Sequence, residues 1–259
     1  MPELPDLQAF SRNLSKKLVG KKLEKIRAVQ TKKLTSPEKT FQQMLEGATL
    51  ASVHRDGKEL HLTFDNGSVL GLHMMLKGQL KYFQHSNENK FTIMELLFEN
   101  GTGLALTDFQ KQATPTLNPE PRTAPDALSK EAGFKYLREK LQNSGAAIKK
   151  LLTDQDVIRG IGNAYADEIL WHAGISPFSQ SSKIPDDAIR KLARSIKTVF
   201  AKAEKQILKI DPEIIAGEIR DFLAIHNPEK THSPTGGKIL IDETGGRKTY
   251  YTKEQQLYK

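Results

Sequence analysis

The sequence predicts an α+β protein of several domains: an N-terminal helix with an antiparallel β-sandwich, then a helical domain, then a C-terminal β-hairpin. Three observations predict it. Apolar residues recur at helical spacing after Pro5; short apolar runs separated by Asn-Gly turns fill the stretch from about Lys22 to Thr107; and a cluster of prolines precedes a return of the helical period.

Proline suits a first helical position, Asp6 favours the positive end of the helix dipole, and Leu7, Phe10, Leu14 and Leu18 fall on one face, so a helix starts at Pro5. Runs such as Leu60 to Phe64 and Phe91 to Leu96 then alternate with the turns Asp65-Asn66-Gly67 and Glu99-Asn100-Gly101, the pattern of antiparallel strands. Pro115, Pro119, Pro121 and Pro125 block helix interiors and central strands, which reads as a linker. From Lys130 to Phe222 the period is helical, with Phe134, Leu137 and Leu141 as one stripe and Leu192, Ile196, Val199 and Ala203 as another. From Thr231 hairpin signals return in Thr235-Gly236-Gly237, Ile239-Leu240-Ile241, Gly245-Gly246 and Thr249 to Thr252. These signals place domains at 1–114, 129–222 and 223–259, with a linker at 115–128.

A chain of 259 residues holds two modest domains, or one large domain with an appendage. It contains no cysteine, which excludes disulfides and thiolate metal sites. The residues after Met1 are too polar and acidic for a signal peptide, and no apolar run approaches the roughly 20 residues a bilayer demands. The expectation is a cytoplasmic protein with no membrane partner. A formal charge of +8 and a pI of about 9.4 favour a polyanionic partner, although charge alone is weak evidence.

Chemistry is concentrated at the start. Removal of Met1 would leave Pro2 with a secondary amine beside the Glu3 carboxylate, a ready carbonyl reagent. Its adduct with an aldehyde-level carbon is an iminium ion, whose charge needs no proton to hold it. An α-amino group titrates near pKa ~8, so free base is available at neutral pH. Farther along, Asp154 to Leu170 carries Gly160-Ile161-Gly162-Asn163 between two helical segments. The glycines allow a sharp turn and close approach, Asn163 is placed to cap the second helix, and such a helix start holds a phosphate. A plain helical corner would use the same residues for geometry alone.

Taken together, Met1-Pro2-Glu3-Leu4-Pro5 and the glycine-asparagine hairpin resemble the formamidopyrimidine-DNA glycosylase and endonuclease VIII family of base-excision repair enzymes. The resemblance implies a bifunctional DNA glycosylase and abasic-site lyase acting on double-stranded damaged DNA. The terminal proline would attack the sugar of a flipped oxidised nucleotide, and elimination would then cut the strand. It also implies a helix-two-turns-helix domain at 129–222, a monomer associated with the nucleoid, and no cofactor. Residue by residue, Pro2 resembles the nucleophile and Glu3 its proton-transfer partner. Lys58 in Arg55-Asp56-Gly57-Lys58 resembles the hairpin lysine that assists elimination, and His73 a phosphate neighbour. Lys149 and Asn163 match DNA-binding positions beside the turn glycine Gly162. Arg247 in Gly246-Arg247-Lys248-Thr249 matches the finger arginine that grips phosphates.

The pattern departs from the family in four places. Its four zinc-binding cysteines fall at His232, Thr235, Thr252 and Gln255, which predicts a zincless finger held by Ile239, Ile241, Tyr250 and Tyr251. Leu76 supplies the apolar wedge member, but Asp108-Phe109-Gln110-Lys111-Gln112-Ala113 puts Gln110 and Gln112 where the family has arginine and phenylalanine, leaving Lys111 as the cation. Asp6 stands where the family usually has glutamate, and reads equally well as a helix-terminus acid. The span from Asp211 to His232 is shorter than in the branch that caps 8-oxoguanine, which points to oxidised pyrimidine or hydantoin lesions. A second reading follows from these changes: a damaged- or abasic-DNA-binding protein of the same fold with little glycosylase activity.

Overall fold

Helix α1 (Leu4–Leu18) starts at Glu3, whose N–H donates to the Asp6 carboxylate at 2.8 Å while the Glu3 carboxylate accepts the Asp6 N–H. This reciprocal capping box satisfies two helix-end donors and fixes the entry of the chain. Leu7, Phe10, Leu14 and Leu18 are all buried, as their spacing predicts. The computed structural model describes residues 1–244 and 246–259; Gly245, and with it part of the expected Gly245-Gly246 turn, lies outside the described residues. The chain divides into two units, Met1–Pro121 with Ile207–Glu218, and Arg122–Gln206 with Ile219–Lys259.

The first unit is built on β1 (Leu23–Ala28), α2 (Glu38–Leu45), β2 (Leu50–Asp56), β3 (Glu59–Phe64), β4 (Val69–His73), β5 (Gln79–Gln84), β6 (Thr92–Phe98), β7 (Thr102–Thr107) and β8 (Thr114–Leu117). The strands form two antiparallel four-stranded sheets, ordered β1-β6-β7-β5 and β2-β3-β4-β8. Alternation works as expected in β3, where Leu60, Leu62 and Phe64 are buried. Two features depart from the sequence reading. Helix α2 interrupts the strand region: it buries Phe41 and Leu45 and shields the open edge of β1, with Glu38 accepting the Ala28 N–H at 2.8 Å and Glu46 the Ile26 N–H at 3.0 Å. Strand β8 runs from Thr114 into the expected linker, with Pro115 paired to Leu72. Proline is tolerated there because β8 is an edge strand and the missing N–H would have faced outward.

The second unit carries α3 (Phe134–Gln142), α4 (Ile148–Thr153), α5 (Asn163–Ala173) and most of α6 (Asp186–Ile210), then β9 (Ile239–Thr244) paired antiparallel with β10 (Arg247–Thr252). Helix α5 ends at Gly174, whose φ of 73° is a left-handed cap that glycine adopts without strain. The helical period, expected to continue to Phe222, stops at Ile210 because Asp211 precedes Pro212, and a residue before proline is pushed out of the helical region. Tyr250 and Ile239 join Ile225, Trp171 and Ala224 in a small core, and Tyr251 meets Phe178 edge-to-face at 4.9 Å. Ile241, expected to help hold the hairpin, is 54% exposed, because the outer half of the hairpin extends beyond the residues it packs on.

Candidate active site and nucleic-acid interface

In the first unit, a cavity of about 860 Å³ is walled by Pro2, by Leu76 to Gln79, by Phe91 and by the Asp108-Phe109 loop, with Lys77, Lys81 and Lys90 as its cations. Pro2 is buried and sits immediately before α1, so the capping box that starts the helix also aims the terminus. Glu3 and Asp6 are 5% and 0% exposed and lie behind Pro2 in that box. The geometry therefore gives Asp6 a helix-terminus role, positioning the Glu3 backbone. With Met1 in place the Pro2 nitrogen is an amide, and the Met1 ammonium pairs with Glu218, another wall residue.

Lys58 and His73 are brought close on the neighbouring sheet: Glu59, next to Lys58, pairs in register with His73. Arg55 anchors the Gly57-Lys58 turn, donating to the Gly57 carbonyl at 3.0 Å and to Gln8 of α1 at 3.1 Å, which ties the turn to the helix that carries Pro2. His73 Nδ1 accepts the Met75 N–H at 3.0 Å, so a neutral His73 carries its proton on Nε2. Neither Lys58 nor His73 lines the Pro2 cavity.

The loop that follows Asp108 is held by hydrogen bonds. The buried Asp108 carboxylate accepts N–H groups from Gln110 at 2.9 Å, Gln112 at 2.7 Å and Ala113 at 2.9 Å. Leu76 lines the cavity and is 61% exposed. Lys111 faces an adjoining groove of about 460 Å³ with Arg27. Sequence reasoning passed over Phe91 and Phe109, whose signal was an aromatic beside a turn rather than within an apolar face.

In the second unit, a cavity of about 430 Å³ gathers Lys149, Lys150, Asn163 and Arg247. Asn163 does not cap α5, as had been expected; Gly162 takes the cap position, and Asn163 Nδ2 reaches instead to the Lys248 carbonyl at 3.0 Å. Lys149, expected to bind DNA, lines this cavity and is also engaged within the fold. Its ammonium lies 2.7 Å from Asp167 Oδ1, and donates to Thr249 Oγ1 at 2.9 Å and to the Lys248 carbonyl at 3.2 Å. Asp167 is fully buried and further accepts His226 Nδ1 at 2.7 Å and the Tyr250 N–H at 3.0 Å. Beside it, Glu168 accepts the N–H groups of Ala224, Ile225 and His226, each at 2.8 Å, and burial pushes its carboxyl above the usual range. Together these contacts fix β10, and with it Arg247.

Zinc does not fit the hairpin. Thr235, Thr252 and Ser233 hydroxyls converge on Glu254 Oε2 at 3.0, 3.1 and 3.0 Å, and the Thr235 bond leads in holding that carboxyl below its usual range. Gln255 accepts the Thr252 N–H at 2.8 Å and donates to the Ile175 carbonyl at 2.8 Å. Among the described residues no group of three His, Cys, Asp or Glu side chains is arranged to hold a metal.

Residues 1–114 match the model of the formamidopyrimidine-DNA glycosylase N-terminal domain, and residues 123–214 that of the formamidopyrimidine-DNA glycosylase H2TH domain. A formamidopyrimidine-DNA glycosylase of Pelotomaculum thermopropionicum is 30% identical over the whole of both chains. The chain belongs to the formamidopyrimidine-DNA glycosylase family. Another member from Bacillus cereus is 29% identical over 97% of each chain, and one from Arabidopsis thaliana is 30% identical over all of this chain and 72% of its own. Among solved structures, the Lactococcus lactis formamidopyrimidine-DNA glycosylase bound non-covalently to abasic-site DNA superposes with a TM-score of 0.86 at 25% identity, covering 98% of this chain and 100% of that one. The same enzyme with DNA containing an oxidised pyrimidine gives 0.86 at 25% identity, over 97% and 98%.

Proposed function

We propose that this formamidopyrimidine-DNA glycosylase family member is a bifunctional DNA glycosylase and abasic-site lyase of base excision repair, with Pro2 as its nucleophile. The observation that carries the reading is Pro2 itself: a proline at the start of a box-capped helix, in the wall of a basic cavity. Duplex DNA carrying a damaged base is the substrate, and the lesion leaves the stack to reach the reacting group, an unstacking that costs a few kcal/mol.

Once Met1 is removed, the Pro2 nitrogen lone pair forms a bond to C1′ as the glycosidic bond breaks and the base departs with a proton. Opening of the C1′–O4′ bond, with a proton passed to O4′, leaves the iminium ion. Glu3 is the group next to these proton transfers. Loss of a C2′ proton then expels the 3′ phosphate, and loss of a C4′ proton expels the 5′ phosphate; water releases the sugar fragment and restores the amine. Lys58 and His73 are assigned to phosphates near the reacting sugar, and Arg247 with Asn163 to flanking phosphates, for which a guanidinium fork is well shaped. The hydrogen bonds about Glu254 support a hairpin that needs no zinc, and elemental analysis finding one zinc per chain would refute that.

Borohydride trapping on an abasic-site duplex tests the chemistry, because reduction turns the iminium into a stable crosslink. The wild-type chain is expected to trap through Pro2, and Pro2→Gly far less. Mass spectrometry that finds Met1 retained on active protein, or the adduct on an internal side chain, overturns the assignment. A second reading, a binder of damaged DNA with weak excision, draws on Gln110 and Gln112 at the wedge; binding without any crosslink would favour it.

A further inference from the structure

We propose that Phe91, with Phe109 in the wall of the same cavity, is a base-stacking residue that supports the duplex beside the extruded nucleotide. This rests on the reading of the Pro2 cavity as the DNA site. Phe91 and Phe109 are 59% and 57% exposed, both in the cavity wall with Pro2. Phe91 also lines the adjoining groove with Arg27, Glu95 and Lys111, so it is shared by both concavities. Two bare aromatic rings ringed by Lys77, Lys81 and Lys90 match a partner that presents both phosphates and π faces, and a nucleic acid is that partner.

The backbone shows that this exposure is built rather than accidental. Phe91 has φ +59°, a left-handed conformation that a bulky side chain adopts only where its surroundings enforce it. They do: Asn87 Nδ2 donates to Thr92 Oγ1 at 3.1 Å, Thr92 Oγ1 donates to the Asn89 carbonyl at 2.9 Å, and the Asn89 N–H donates to Asn87 Oδ1 at 3.0 Å. The Phe91 carbonyl accepts the N–H of Asp108 at 2.9 Å, and the Asp108 carboxylate holds the loop after Phe109. One buried residue thus locks the main chain beneath both rings. A strained, pinned backbone that points a phenylalanine at solvent suits a ring that must wait in place for a base.

The experiment uses the full chain and a tetrahydrofuran-containing duplex with 2-aminopurine opposite the tetrahydrofuran. Stacking predicts that Phe91→Ala and Phe109→Ala each weaken binding by roughly 5- to 150-fold, the range for one base–aromatic contact. Both variants are expected to change the 2-aminopurine fluorescence of the complex, and Phe91→Trp to restore affinity. The salt dependence of Phe91→Ala is expected to match wild type, whereas Lys90→Ala should flatten it, separating stacking from phosphate contact. Trapping by Phe91→Ala should fall at least several-fold more on abasic duplex than on a single-stranded abasic oligonucleotide. Wild-type affinity and fluorescence in both alanine variants would overturn the proposal, as would equal loss on duplex and single strand with no rescue by tryptophan, the mark of a folding role. If the wild-type chain binds the duplex but never crosslinks, the catalytic reading fails while the fluorescence and affinity still decide the stacking.

Discussion

Asp167→Asn separates two roles for Lys149, service to the hairpin and service to DNA. The Asp167 carboxylate is sealed from solvent and holds Lys149 Nζ and His226 Nδ1 at 2.7 Å each and the Tyr250 N–H at 3.0 Å. The amide preserves shape and removes the charge, so the Lys149 ammonium, on a side chain only 11% exposed, loses its counter-ion. Breaking one side of a buried pair costs about 3–5 kcal/mol, and the slight exposure of Lys149 argues for the lower end. At about 2–4 °C per kcal/mol for a chain of this size, melting should fall by roughly 6–12 °C. Lys149→Met should cost less, since Asp167 keeps His226 and Tyr250 as donors. Binding is then measured against salt with a tetrahydrofuran duplex. A lysine on a phosphate contributes about 0.9 to the slope of log affinity on log salt. A positioning lysine predicts unchanged slope in Lys149→Met, with affinity reduced in both variants because β10 and Arg247 lose their seat. A slope reduced by about one in Lys149→Met, with Asp167→Asn binding like wild type, would refute this reasoning.

Other perturbations probe the remaining elements. Phe10→Ala empties a fully packed site on α1 and should destabilise by about 3–5 kcal/mol in denaturant unfolding; a cost under about 1 kcal/mol would contradict the packing role. Gly78→Ala places a Cβ 2.3 Å from the Met74 carbonyl oxygen, so the loop that carries Leu76 must move. Its kcat/KM on abasic duplex should drop by up to about 100-fold, with wild-type turnover the refuting result. Burial first, then the charges of Lys202 and Lys191, hold the His172 imidazole below its ordinary value. The folded chain therefore binds that proton less readily than the unfolded chain, and the contribution to stability is full above pH ~6.5 and is lost as pH falls below it. Melting between pH 7.5 and 5.5 should drop less in His172→Asn than in wild type, and an equal drop would dismiss the link.

Much of this protein was legible in the order of its residues. The helical spacing of Leu7, Phe10, Leu14 and Leu18, the Asn-Gly turns between strands, and the pairing of Pro2-Glu3 with Gly162-Asn163 are local patterns, and local patterns survive without knowledge of the fold. Helix α2 was missed because two turns with two buried residues give too short a period to register against surrounding strands. Pro115 misled because a proline marks a break only where its N–H is needed, and edge position is a property of the finished sheet. Lys149, Asn163, Asp167, His226 and Tyr250 meet across long stretches of chain, so which cation faces solvent and which is spent on a neighbour is decided only once those segments close on one another. The same holds for Phe91 and Phe109: sequence determines that they are aromatic, whereas their exposure, and the 2.9 Å bond from the Asp108 N–H to the Phe91 carbonyl that joins their two segments, exist only in the tertiary structure.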